Sequence, residues 1–205
     1  MTSYKPIQAD RVVAVIRAER VAEPLGLAKT LAASGIRCVE FTFTIPNAAA
    51  VVAEAAASSD AFVGAGTVLN PGQAVAAMDA GASFVIAPVV ATDVVRTCTE
   101  RKIPVFLGGF TPTEIVAANA AGATAVKLFP APIRGPDYIR DLRGPFPDIA
   151  LIPSGGINEG NARAYFDAGA VAVYAGSGLA PPDLVASGAH SEIARRAERF
   201  VAALS

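Results

Sequence analysis

The chain has 205 residues, 53% of them apolar and only 17% charged, with 17 basic residues against 18 acidic and a net charge of −1. Such a balance suits an α/β protein with a sheet covered on both faces, in a single domain over residues 1–205. It carries no basic run for nucleic acid or an acidic membrane surface, no leader and no uninterrupted apolar span, so a cytoplasmic protein is expected.

Eight short apolar runs follow one another along the chain. They are RVVAVIR (11–17), CVEFTFT (38–44), FVGAGTV (62–68), FVIAP (84–88), VFLGG (105–109), AVKLFP (125–130), ALIPSGG (150–156) and VAVYAGS (171–177). Their length and their content of Val, Ile and Phe predict buried strands. Alanine-rich helical stretches alternate with them at 23–35, 47–57, 71–81, 91–102, 111–122, 135–144, 158–169 and 191–204. Thr or Asn caps or an early proline open them, and glycine closes several. SGI at 34–36 and AGA at 80–82, 121–123 and 168–170 form a quiet repeat, each glycine placed where a helix ends in a left-handed turn before the next strand. Eightfold alternation predicts parallel strands with right-handed crossovers closed into a (β/α)8 TIM barrel, with an open doubly wound sheet as the alternative.

The ends of barrel strands are where side chains should do chemistry. Lys127 is a single amine within a run that reads as buried strand. Alternation can aim it into the barrel, where lost hydration favours the neutral, nucleophilic amine; equally, its stem could be buried with its head in water. Glu40 shares one face of its strand with Thr42 and Thr44, opposite Val39, Phe41 and Phe43. That face fits a proton-handling cluster, and it fits a structural ion pair with Lys127 as well.

PSGGI (153–157) and AGSGL (175–179) end the seventh and eighth strands, where barrels commonly hold phosphate. Glycines there let backbone N–H groups approach an anion, though they could serve only to shape tight turns. GAGTV (64–68) lacks the P-loop Lys-Ser/Thr and the dinucleotide fingerprint, so no nucleotide is read from it; the Thr67 hydroxyl could hold a carboxylate. Arg17 could pair with a carboxylate or a phosphate, or merely cap its strand towards solvent. Cys38 and Cys98 match no metal or redox spacing, and His190, the only histidine, is expected at the surface with no role. That scarcity of imidazole argues against zinc, while carboxylates could still hold magnesium.

Taken in order, VEFTFTIPNA, VGAGTVLNP, VKLFPA, IPSGGIN and AGSGL resemble the class I 2-keto-3-deoxy-6-phosphogluconate aldolases, a family that includes 4-hydroxy-2-oxoglutarate aldolases and a phosphogalactonate branch. The resemblance runs from about Val12 to Phe200. It implies homotrimers of eightfold barrels that cleave a phosphorylated 2-keto acid to pyruvate and an aldehyde without metal or cofactor. It also implies Lys127 as Schiff-base lysine and Glu40 as acid and base working through a water. Arg17, Thr44, Thr67, Pro88, Phe129 and Ser154 would meet the substrate, and Gly155, Gly156, Gly176 and Ser177 its phosphate. The chain departs from the family at Thr44, where an arginine is usual, at Ala87-Pro88-Val89, at Gly108-Gly109 and at Gly178. These changes bear on the choice among gluconate, galactonate and 4-hydroxy-2-oxoglutarate substrates. The competing readings are a phosphosugar isomerase or epimerase, and a non-catalytic barrel that binds a phosphorylated ligand.

Overall fold

A computed structural model describes residues 4–57 and 60–204. Its eight strands are β1 (Val12–Ile16), β2 (Cys38–Thr42), β3 (Phe62–Gly66), β4 (Val85–Ala87), β5 (Val105–Gly109), β6 (Ala125–Leu128), β7 (Leu151–Pro153) and β8 (Val173–Ala175). Every run expected to be a strand contains one. All but β5 are shorter than their runs, mainly because residues at the C-terminal end leave the ladder to form loops. All seven ladders are parallel, in the order β7-β6-β5-β4-β3-β2-β1-β8, and a parallel bridge from Ser154 to Tyr174 joins the two ends. This is the TIM barrel, and the open sheet is set aside.

The helices are α1 (Lys5–Asp10), α2 (Pro24–Ala33), α3 (Ala48–Ala56), α4 (Pro71–Asp79), α5 (Thr92–Glu100), α6 (Pro112–Ala120), α7 (Gly135–Arg143), α8 (Ala162–Asp167), α9 (Pro182–Ser187) and α10 (His190–Ala202). Two expected caps are built as anticipated. The Asn70 side chain accepts from the Gln73 N–H at 2.9 Å, and Thr111 forms a capping box with Glu114. Gly35, Gly81, Gly122 and Gly169 all have φ between 91° and 104°, as the repeat requires. Helices α1 and α9 were not read from the sequence. The stretch at 158–169 is helical only from Ala162, because Asn158 and Asn161 are engaged in a turn: Asn161 accepts from the Asn158 N–H at 2.9 Å.

The period of two along each strand separates two cores. Val12, Ala14, Val39, Phe41, Val63, Ala65, Val126 and Leu128 face the helices. Val13, Cys38, Phe84, Ile86, Phe106, Ile152 and Tyr174 fill the interior, joined by Ile7 from α1. Phe62 stacks on Phe84 at 5.2 Å, Phe84 meets Phe106 edge-on at 6.0 Å, and Tyr4 meets Phe106 the same way at 6.0 Å. Each such pair adds about 0.5–1.5 kcal/mol beyond burial. The helix α1 and its approach therefore plug the N-terminal end of the barrel. Its interior opens at the other end, where the inward parity continues through Arg17, Glu40, Pro88, Lys127, Ser154 and Gly176.

No helix among the described residues is long and apolar enough to cross a membrane.

Candidate active site

Lys127 lies on β6 with inward parity, and its side chain is 7% exposed. Its register partners are Gly108 on β5 and Ile152 on β7. Nζ lies 3.9 Å from Oε2 of Glu40 and 4.7 Å from the centroid of the Tyr174 ring. Of the alternatives open for this lysine, the interior position is the one the fold adopts.

Glu40, opposite Gly64 in the β2–β3 ladder, is wholly buried. Neither of its carboxylate oxygens has a hydrogen-bond partner among the described residues. Burial pushes its pKa up, opposed by the positive charges of Lys127 and Arg17. Such a carboxyl is suited to taking up and returning a proton. Its space comes from β3: a Cβ at Gly66 would lie 1.5 Å from Oε1, and one at Gly64 would lie 2.3 Å from the Phe84 ring. The glycines of GAGTV are thus voids for side chains of adjacent strands.

At the rim, the exposed Arg17 donates from Nη1 to the Thr44 hydroxyl and from Nη2 to the Thr67 hydroxyl, both at 3.1 Å. Thr44 in turn shares a 2.9 Å hydrogen bond with the buried Thr42. Arg17 is therefore held in place and is no loose end cap. Thr44, expected against the substrate, stands beside that guanidinium and outside the cavity lining. Thr67 has φ 57°, a left-handed conformation that costs a β-branched residue about 1–3 kcal/mol. The strain sets its hydroxyl at the cavity wall.

A cavity of about 590 Å³ occupies the open end, within the usual range for small-molecule sites. Arg17, Thr67, Pro88 and Lys127 line one part of it. Phe129, Ser154 and the glycine loops, with Gly155, Gly156, Gly176 and Ser177, line the other. Asn161 braces the first loop by donating to the Gly156 carbonyl at 2.8 Å, and the second turns back so that Leu179 and Ala180 donate to the Gly176 carbonyl. A Cβ at Gly108 would fall 2.0 Å from the Pro88 carbonyl oxygen, so the chain beyond β4 and the end of β5 approach closely there.

Val15, Ile157, Asn158 and Tyr174 line the cavity too and were not singled out from sequence. Parity held a signal for two of them: Val15 lies two residues before Arg17, and Tyr174 two before Gly176. His190 corrects its expectation. It is half-buried, with Nε2 enclosed and its ring against Gly26 of α2.

The arrangement sets a cavity-lining amine beside a buried carboxyl, with a clamped guanidinium at one wall and glycine-loop backbone at the other. A model of the KDPG and KHG aldolase family matches residues 5–196. The 2-dehydro-3-deoxy-phosphogluconate aldolase of Treponema pallidum is 35% identical over 195 residues, 94% of this chain and 93% of the relative. The KHG/KDPG aldolase of Escherichia coli is 34% identical over 192 residues, 93% and 90% of the two chains. Among solved structures, the KDPG aldolase from Legionella pneumophila, with pyruvate captured as a covalent carbinolamine intermediate, matches with a TM-score of 0.87 at 28% identity, covering 95% of this chain and 96% of that one.

Proposed function

The chain belongs to the KDPG and KHG aldolase family, and on that premise we propose that Lys127 is its imine-forming amine and Glu40 its acid and base. The substrate is 2-dehydro-3-deoxy-6-phosphogluconate or its galactonate epimer, cleaved to pyruvate and glyceraldehyde 3-phosphate; 4-hydroxy-2-oxoglutarate, cleaved to pyruvate and glyoxylate, is a second substrate of the same site. The observation that carries the reading is the Lys127–Glu40 pair, 3.9 Å apart, with Lys127 lining the cavity and Glu40 buried beside it.

The neutral amine attacks C2 of the keto acid, and the ketone oxygen leaves as water to give a protonated imine. Glu40 then takes the proton of the C4 hydroxyl as the C3–C4 bond breaks. The electron pair of that bond becomes the double bond of an enamine, and the imine nitrogen loses its charge. Glu40 returns a proton to C3, and water releases pyruvate from the lysine. Arg17 and Thr67 hold the substrate carboxylate, with Thr44 fixing Arg17 from behind. Phe129, Pro88 and Ser154 bound the keto-acid fragment, and the loops at Gly155, Gly156, Gly176 and Ser177 take the distal phosphate. Fixing both ends sets the scissile bond over the imine plane.

Borohydride added with pyruvate, followed by intact mass and peptide mapping, tests the assignment. The expected result is one reduced pyruvate adduct, on Lys127, with loss of activity. An isomerase, an epimerase or a binding barrel gives no adduct, and that result would overturn the reading. Cleavage compared with and without a phosphate on the substrate tests the loops, since equal rates would remove their phosphate role.

The same reading makes the enzyme a cytoplasmic homotrimer. Leu69, Val89, Val116 and Ile133 are large apolar side chains left exposed, which favours association between copies. Light scattering of the purified protein would show a mass three times that of one chain.

A further inference from the structure

Tyr174, in the middle of β8, is 1% exposed and belongs to the interior cluster. The face of its ring meets the Lys127 nitrogen, 4.7 Å from the centroid. Its hydroxyl is closed off from solvent and has no hydrogen-bond partner among the described residues, a condition shared with both carboxylate oxygens of Glu40. Because Glu40 lies 3.9 Å from the same nitrogen, ring and carboxylate flank one reacting atom. Burial first, and the charge of Glu40 after it, hold the phenol well above its usual pKa, so it keeps its proton and can donate it in a hydrogen bond. For packing alone the hydroxyl is a liability: an unpartnered buried O–H destabilises, and Phe84 and Phe106 fill the same interior without one.

We propose that Tyr174 is a positioning residue for the proton-transfer half of the reaction, its O–H engaging the Glu40 carboxylate once an imine occupies Lys127 while its ring holds the nitrogen. The inference rests on the aldolase reading of those two residues. In the pyruvate imine, a C3–H bond breaks and its proton passes to an oxygen of Glu40. The released pair becomes the C2–C3 double bond, and the C2–N pair moves onto nitrogen and cancels its charge; the return step reverses each movement. Throughout, the phenol keeps its proton and steadies the carboxylate by a hydrogen bond. The groups that bear on Glu40 are Lys127 from β6, Arg17 beyond β1 and Tyr174 from β8, and Cys38 on β2 acts on the phenol.

Tyr174→Phe keeps the ring and removes the hydroxyl. Its melting temperature should equal or exceed the parent's, and borohydride should trap pyruvate on Lys127 at the parental rate. Exchange of pyruvate methyl protons with solvent deuterium should fall about tenfold or more, the equivalent of one hydrogen bond to a charged group. The acid limb of exchange against pH should move to higher pH, because the carboxylate has lost a donor. Unchanged exchange with an unchanged pH profile would overturn the proposal, as would trapping that slows in proportion to exchange. A parent protein that never yields an adduct would instead sink the aldolase reading itself, so the two failures are separable.

Discussion

Gly66→Ala adds one methyl group at the most crowded point of the site. The new carbon would lie 1.5 Å from Oε1, 2.2 Å from Cδ and 2.6 Å from Cγ of Glu40. Carbon contacts are comfortable only from about 3.5 Å, so the carboxylate must retreat by about 2 Å. Gly66 does not have a positive φ, so the backbone accepts alanine and the effect is one of volume alone. Glu40 is wholly enclosed, and displacement carries it away from the position beside Lys127. A misplacement of about 1 Å costs on the order of 10²-fold in rate, and loss of a general base costs about 10²–10⁴-fold. We therefore expect kcat for cleavage to fall by about 10²–10⁴, with overpacking destabilising the fold by about 1–3 kcal/mol. The amine is untouched, so borohydride should still trap pyruvate on Lys127. Steady-state cleavage, adduct mass and a thermal melt measure the three quantities. A variant that melts earlier yet keeps the parental kcat would refute the placement of Glu40 at the reacting bond.

The remaining predictions concern the same wall, clamp and loop. Glu40 has a folded pKa raised above its unfolded value, so its contribution to stability is fully present below the usual carboxylate range and is lost as pH rises through the raised value. Glu40→Gln should accordingly melt above the parent at neutral pH, the gap closing as pH falls through the raised value and fully closed below about 4.3, and its cleavage rate should drop by about 10²–10⁴; a gap that widens on acidification contradicts this. Arg17→Leu should raise KM for pyruvate-forming substrates about tenfold or more, the loss of a charged hydrogen bond, with a smaller change in kcat. A reversed split would place Arg17 in the chemical step. Gly156→Ala meets φ 61° and a contact of 2.9 Å with Pro132 Cγ, so it should weaken phosphorylated substrates while leaving pyruvate trapping intact; equal loss of both would dissociate that loop from phosphate.

Alternation along short apolar runs put Glu40, Thr42 and Thr44 on one face and left Lys127 able to point inward, because period-two geometry is local; which face is the inner one is decided by the closure of the barrel. The destination of Arg17 was not legible. Its two acceptors stand 27 and 50 residues away, and nothing near position 17 states that they converge. Gly64 and Gly66 were visible as residues but not as voids, since what fills them comes from Phe84, just before β4, and Glu40 on β2. Thr44 was a substrate contact by resemblance alone, and its hydrogen bond to Arg17 joins side chains beyond the ends of β1 and β2 that no local pattern connects. The Asn158–Asn161 turn consumed the start of an expected helix for a similar reason, its amide groups being committed to the glycine loop.

Ile7 and Tyr4 stopper the lower end of the barrel, and this makes the interior a cul-de-sac. On the aldolase reading, substrate enters and products leave by the open end, and the pyruvate fragment stays bonded to Lys127 when the chain is cut, so aldehyde leaves first and pyruvate last. Reversing the traffic for synthesis requires pyruvate to load before any aldehyde, and excess aldehyde should inhibit by occupying the corridor ahead of it.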